Sequence, residues 1–182
     1  MIIDELEIIG FKSFKEKTIL KNFGRNFNAI TGNNGCGKSN IFDSICFVLG
    51  LSNINLMRVS KIQDLIYSTK NFKLDVAQIT LKLQKIPNKR LCEERFYARN
   101  SASISREIYK NGKNRYSLNG TVVSPGKILN FLCSINLNIT TAHFLVRQGN
   151  ITGITLMSNK ELLNLFENSI GTKLYEIKKK QQ

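Results

Sequence analysis

The chain has a single histidine, His143, and its four cysteines, Cys36, Cys46, Cys92 and Cys133, contain no C-x-x-C spacing. Zinc sites need Cys and His at short fixed intervals and disulfide frameworks need denser cysteine, so neither is expected. No apolar run approaches the length of a membrane span, and no signal peptide precedes the first apolar stretch. These absences predict a soluble, intracellular chain in a reducing compartment, with no membrane partner. Internal repeats and low-complexity segments are also missing. Acidic residues are scarce, 13 Asp and Glu against 27 Lys and Arg, which leaves a net charge of +14. Such a surplus draws polyanions, so a nucleotide or nucleic acid is the expected partner. The cations are nevertheless spread from Lys12 to Lys180, a dispersal that an A·T-rich coding bias also explains.

What is present begins with length. A chain of 182 residues buries roughly 70% of its unfolded surface and forms one domain, or one substantial lobe of a larger one. Residues 32–39 read G-N-N-G-C-G-K-S and satisfy G-x-x-x-x-G-K-[ST], with the apolar Phe27, Ala29 and Ile30 leading in. The pattern predicts a strand, a phosphate-binding loop and a helix over about 38–49. A polyphosphate needs several backbone N–H groups turned inward at once, which Gly32, Gly35 and Gly37 permit by tolerating positive φ. In this reading Gly32, Asn33, Asn34, Gly35, Cys36, Gly37, Lys38, Ser39 and Asn40 cradle the phosphates. Lys38 reaches the β- and γ-phosphates, Ser39 offers its hydroxyl to Mg²⁺, and the helix dipole favours the anion.

Elsewhere Ile2 to Ile9 and Phe11 to Leu20 read as strands separated by a turn at Gly10, with Asp4 and Glu5 capping the first strand in solvent. Residues 50–61 lack periodicity and read as a long polar loop carrying Arg58 and Lys61. Residues 75–83 alternate, with Ala77, Ile79, Leu81 and Leu83 on one face, as a half-buried antiparallel strand does. Strands at about 104–109 and 115–118 are joined through Asn111-Gly112, a hairpin dipeptide. Ser124-Pro125 opens a helix over 126–133, and Ser158 with Glu161 forms a capping box for one ending near Gly171. Residues 172–182 are helical in character.

A P-loop enzyme also needs an acidic residue after an apolar strand to hold Mg²⁺, and a group to orient the attacking water. Met1-Ile2-Ile3-Asp4-Glu5 precedes the loop instead of following it, and Leu165-Phe166-Glu167 falls in a helix. Asn88-Lys89 and Asn159-Lys160 are not followed by x-Asp, so guanine recognition is unsupported, and no arginine-rich kinase lid is evident. The economical reading places the catalytic half of the site in another segment or chain.

Gly10-Phe11-Lys12-Ser13-Phe14, Gly35-Cys36-Gly37-Lys38-Ser39-Asn40-Ile41 and Gln148-Gly149 together resemble the N-terminal head lobe of structural maintenance of chromosomes (SMC) ATPases. Residues 62–67, 114–120, 143–152 and 171–176 are most similar to the branch formed by the second SMC subunit of condensin. The resemblance implies an α/β fold of the P-loop NTPase type, in the form found in ABC and SMC heads. Mixed and antiparallel strands would surround the P-loop helix over 1–171, with a coiled-coil arm starting at 172–182. It implies ATP and Mg²⁺ as ligands, with Gln148 touching the metal and the attacking water, and Lys12, Ser13 and Phe14 near the nucleotide. Arg58, with Lys61 in the same loop, would sense DNA or assist a partner site. The magnesium-binding acid and the signature motif would come from a C-terminal lobe beyond the coiled coil. Implied partners are a second SMC subunit in a heterodimer, a kleisin and other condensin subunits, and double-stranded DNA, on chromosomes in the nucleus. A non-hydrolysing DNA-binding platform and a related DNA-repair ATPase are the alternatives. Three departures mark a divergent sequence: Cys36 where serine is common, Glu167-Asn168-Ser169-Ile170 where Glu-Glu-Ala-Ala is usual, and Asn150 in place of an arginine.

Overall fold

A computed structural model describes residues 2–51, 57–85, 101–135, 137 and 157–170. They divide into two compact units, Met1–Ile128 and Leu129–Gln182. The first unit is built on strand alternation. In β5 (Val76–Gln84) Ala77, Ile79, Leu81 and Leu83 are all buried, the face the sequence predicts. β1 (Ile2–Ile9) contributes Leu6 and Ile8, and β6 (Ser101–Tyr109) contributes Ala102, Ile104 and Ile108. With β2 (Thr18–Leu20), β7 (Asn114–Leu118) and β8 (Thr121–Val123) they form a six-stranded antiparallel sheet in the order β2-β1-β5-β6-β7-β8. The β6–β7 hairpin turns at Asn111-Gly112 as expected, where the Gly112 N–H donates to the Tyr109 carbonyl at 2.8 Å. A small ladder, β3 (Ser68–Thr69) with β4 (Phe72–Lys73), stands apart from this sheet.

One helix, α1 (Lys38–Val48), packs across β5 and β6. Its buried residues are Asp43, Ser44, Cys46, Phe47 and Val48. Phe47 is the anchor, its ring 5.5 Å from that of Phe11, with both side chains fully buried. Burying a side chain of that size contributes roughly 1.5–3 kcal/mol, so the contact fixes where the far end of the helix lies.

The structure departs from the sequence expectations at three places. The second strand does not run from Phe11 to Leu20, because only Thr18–Leu20 pairs with β1. Lys12 adopts φ +49° and the Phe14 N–H donates back to the Phe11 carbonyl at 2.8 Å, a tight turn that ends any extended run. Residues 27–31, expected as the strand entering the P-loop, join no ladder. Phe27 and Ile30 are 81% and 47% exposed, and Asn28 instead bonds both the N–H and the carbonyl of Gly24. An apolar run becomes a strand only when neighbours accept its hydrogen bonds, and the described sheet offers none at this position. Finally, Glu5 is buried between Lys82 and Lys21, at 2.8 and 3.3 Å, rather than capping β1 in solvent. A register shift between Ile3 and Glu5 breaks the alternation there, and only Asp4 stays exposed. A bulge of this kind re-aims the side chains that follow it.

Helix α2 (Pro125–Ser134) opens where proline at the first helical position predicts, with the Ser124 carbonyl accepting from Lys127 and Ile128. In the second unit α3 (Asn159–Ile170) begins at the expected capping box. The Ser158 N–H and hydroxyl donate to Glu161 Oε2 at 2.8 and 2.7 Å, which holds the Glu161 carboxyl below the usual carboxylate value. Among the described residues no helix is long and apolar enough to cross a membrane.

Candidate nucleotide-binding site

The loop before α1 has the backbone its glycines predict, with φ +154°, +82° and +93° at Gly32, Gly35 and Gly37. Gly37 is the N-cap, and its carbonyl accepts the N–H groups of Asn40 and Ile41 at 2.9 and 3.3 Å. A Cβ at Gly37 would lie 3.2 Å from Ser13 Oγ, so close approach as well as φ requires glycine there. At Gly35 a Cβ would meet nothing within 4 Å, which leaves the crown of the loop open. The first turn of α1 carries no acidic residue to cancel its positive dipole end. Lys38 folds back over the loop, its ammonium donating to the carbonyls of Gly32 at 2.5 Å and Asn33 at 2.8 Å. Ser39 is exposed one residue further on. The Cys36 sulfur rests against Gly32, 2.9 Å from where a Cβ would stand.

This donor set fits a polyphosphate: an open loop of backbone amides, one lysine poised across it and an exposed hydroxyl at a helix N-terminus. It does not form a metal site unaided. Among the described residues no cluster of three His, Cys, Asp or Glu could hold a metal ion. Ser39 could serve a divalent cation only beside oxygens supplied by the phosphates and by groups elsewhere.

Ser13 and Phe14 lie against this loop. Asn40 Nδ2 donates to Ser13 Oγ at 2.8 Å, and Phe14 Cζ is 3.9 Å from the Cβ position of Gly37. Lys12 is turned elsewhere. Its ammonium bonds the Asp43 carboxylate of α1 and the Met57 carbonyl, at 2.5 and 2.8 Å. Arg58 and Lys61 are both exposed, Arg58 at φ +53°. The Lys61 N–H is fixed by Asp64 Oδ2 at 2.9 Å, opening a short 3-10 turn at Ile62–Leu65. Gln148 lies outside the described residues, as do Gly149, the 143–152 motif and residues 171–182.

Two supporting residues escaped sequence reasoning, although each left a signal. Asp43 shares a helical face with Asn40 and Phe47, where a carboxylate is rarely buried without a cation. Arg106 occupies an inward position in the alternation Ala102, Ile104, Arg106, Ile108 and is 1% exposed. Its guanidinium donates to the Phe47 carbonyl at 2.6 Å and to Asn114 Oδ1 at 3.0 Å. The rings of Phe47 and Tyr116 lie 4.0 and 4.7 Å from it. Burial lowers the Arg106 pKa to about 10, which still leaves it fully charged at neutral pH. The cation thus sits at the C-terminal end of α1, the end a helix dipole makes negative, while the other end faces the phosphate loop.

A helix braced at its C-terminus by a buried cation and opened at its N-terminus by a glycine loop, on an antiparallel sheet, makes this a P-loop nucleotide-binding lobe. The chain belongs to the RecF/RecN/SMC N terminal domain family, whose model matches residues 2–158. It is 42% identical over 98% of its length to structural maintenance of chromosomes protein 2 of Plasmodium falciparum, and 37% identical over the same share to that of Homo sapiens. It spans 15% of the length of each of those relatives. Among solved structures, the Pyrococcus furiosus Smc head domain with an extended coiled coil, bound to the C-terminal domain of ScpA, superposes with a TM-score of 0.81. The two are 34% identical over 98% of this chain and 44% of that one. A second solved chain, from work on ATP-driven dimerization and DNA-stimulated activation of SMC ATPases, gives a TM-score of 0.76. It is 32% identical to this chain, over 92% of this chain and 99% of that one. The resemblance read from the sequence, to SMC heads and to the second SMC subunit in particular, is borne out.

Proposed function

We propose that this chain is the ATP-binding half of an SMC head that organises chromosomes together with a partner head and DNA. The observation that carries the reading is the open Gly32–Ser39 loop with Lys38 drawn across it and Ser13 and Phe14 packed on its floor. Lys38 exchanges its carbonyl partners for the β- and γ-phosphates of ATP, which are stronger acceptors. Ser39 would hold Mg²⁺ through its hydroxyl, and Gln148 would contact the metal and the attacking water. Magnesium, when bound, neutralises charge on the phosphates, and the chain's own groups orient them. An acidic strand and a signature motif from a C-terminal lobe and a partner head supply what this lobe lacks. A kleisin and other condensin subunits, double-stranded DNA and a place on nuclear chromosomes follow from the same reading, which the SMC protein 2 relatives support. So does the ScpA fragment bound to the Pyrococcus head.

Phosphoryl transfer depends on positioning and electrostatics, so half a site binds nucleotide without turning it over. The test is phosphate release from this chain alone, beside ATP binding by calorimetry. Binding without turnover supports the reading. Sustained magnesium-dependent turnover that disappears in Lys38→Ala would mean a self-sufficient enzyme and would overturn it.

A further inference from the structure

Lys12 closes the segment 57–65 at both ends. Its ammonium takes the carbonyl of Met57, the residue before Arg58, and its backbone N–H takes the carbonyl of Leu65 at 2.7 Å. The same ammonium is bonded to Asp43, so the segment is tied to the helix that carries the phosphate loop. None of these groups is loosely held. The Lys12 and Asp43 side chains are 13% and 7% exposed, and Met57 is 2% exposed. Lys12 and Arg58 both hold positive φ, a conformation that non-glycine residues keep only where the surroundings fix them.

We infer that Lys12 is a positioning residue for Arg58, presenting its guanidinium to DNA phosphates, rather than a ligand of the nucleotide. The inference rests on the first of the two roles that the family resemblance implies for Arg58, sensing DNA rather than assisting a partner site, within the function proposed above. A cation already shared between a buried carboxylate and a carbonyl has little to gain from a distant anion, whereas the backbone of the segment it ties has less freedom to lose on binding. Arg58 therefore meets a phosphate with its backbone already set. Cutting the tie at either end releases the segment, and the contact weakens although Arg58 remains in the sequence.

Asp43→Asn makes the test sharp, because the two explanations have opposite signs. Removing a negative charge from a basic protein tightens DNA binding by general electrostatics. Weakening the anchor of Lys12, which a carboxamide holds less strongly than a carboxylate, loosens it. A labelled mixed-sequence DNA duplex is titrated with the chain and its variants over a range of salt, with ATP binding measured alongside and folding checked by circular dichroism. Arg58→Ala is expected to weaken DNA binding about three- to tenfold and to lower the salt slope by about 0.9. Asp43→Asn and Lys12→Met should do the same, Lys12→Arg should restore binding, and Lys12→Met combined with Arg58→Ala should be no worse than either alone. ATP affinity should stay within about twofold throughout, since the tie lies outside the phosphate contacts. An inert Arg58→Ala overturns the DNA reading of the segment and this inference with it. An active Arg58→Ala beside a tighter-binding Asp43→Asn, or beside additive losses, overturns the inference alone. Should Asp43→Asn fail to fold, Lys12→Met and its rescue by arginine decide the same question.

Discussion

Arg106 meets Phe47 twice, stacking its guanidinium 4.0 Å from the centre of the ring and donating to the carbonyl of the same residue at 2.6 Å. A side chain on β6 thereby grips both the core anchor and the last turn of the P-loop helix. Replacing Arg106 with alanine takes the stronger of two donors from the Phe47 carbonyl, which keeps the Gly50 N–H at 3.1 Å, and removes the donor to Asn114 Oδ1 and a desolvated cation–π contact. The expected loss is about 2–4 kcal/mol, read as a lower denaturation midpoint at unchanged m-value. Lysine should recover only part of it, because an ammonium cannot stack flat while donating in two directions. A full rescue by lysine would show that charge alone matters at this position.

Lys38→Ala removes the side-chain cation that, among the described residues, is drawn across the loop. Charge-assisted hydrogen bonds contribute about 1.5–3 kcal/mol each, so ATP affinity should fall by about one to two orders of magnitude. The same substitution removes the ammonium from the carbonyls of Gly32 and Asn33, leaving Asn33 only the Cys36 N–H at 3.4 Å, and amide exchange in residues 32–36 should quicken even without nucleotide. Unchanged affinity by calorimetry would sink the assignment of the loop.

Gly37→Ala should be poorly tolerated. It places a Cβ 3.2 Å from Ser13 Oγ at a residue with φ +93°, and a left-handed non-glycine residue costs roughly 1–2 kcal/mol before any clash. Ser13→Ala relieves only the clash, so the double variant should regain part of the ATP affinity lost in Gly37→Ala. No recovery would place the whole penalty in the backbone.

The cap of α3 has a pH signature. Glu161 is held below its ordinary value by the Ser158 hydroxyl and N–H, so its contribution to the helix is present above the unfolded carboxylate pKa, near 4.5. That contribution disappears as pH falls through the lower, folded value. Ser158→Ala should move the Glu161 titration upward, followed by the side-chain carboxyl resonance, and shift the fraying of the first turn to higher pH. A titration that does not move would assign the shift to the backbone N–H of residue 158, which the substitution keeps.

Local rules made most of this legible. The alternation of Ala77, Ile79, Leu81 and Leu83, the Asn111-Gly112 turn, the Ser158–Glu161 cap and the glycines of the loop each express chemistry that neighbours along the chain decide. What escaped was decided across the chain. Residues 27–31 have strand character without a described strand to bond, and Phe11–Leu20 breaks at Lys12 because that residue is committed to Asp43, Met57 and Leu65. Glu5 was read as a solvent cap because a bulge has no signature in one strand alone. Asp43 and Arg106 were visible as charges in apolar registers, yet only tertiary structure supplies the partners that make such burial tolerable.

The strand order has a temporal consequence. β6, β7 and β8 are consecutive hairpins and close over short spans, but β1 finds β5 only when Ile9 reaches Gln78. Everything that meets the phosphate, α1 and its glycine loop included, lies inside that long closure. Closing a long span is the entropically slow part of folding, and until it is made Phe11 and Ser13, which follow β1, have no fixed place against α1 and its loop. Competence to bind nucleotide should therefore arrive with the slowest refolding phase, after most of the sheet signal has returned. During that interval the chain is largely folded and has no phosphate site.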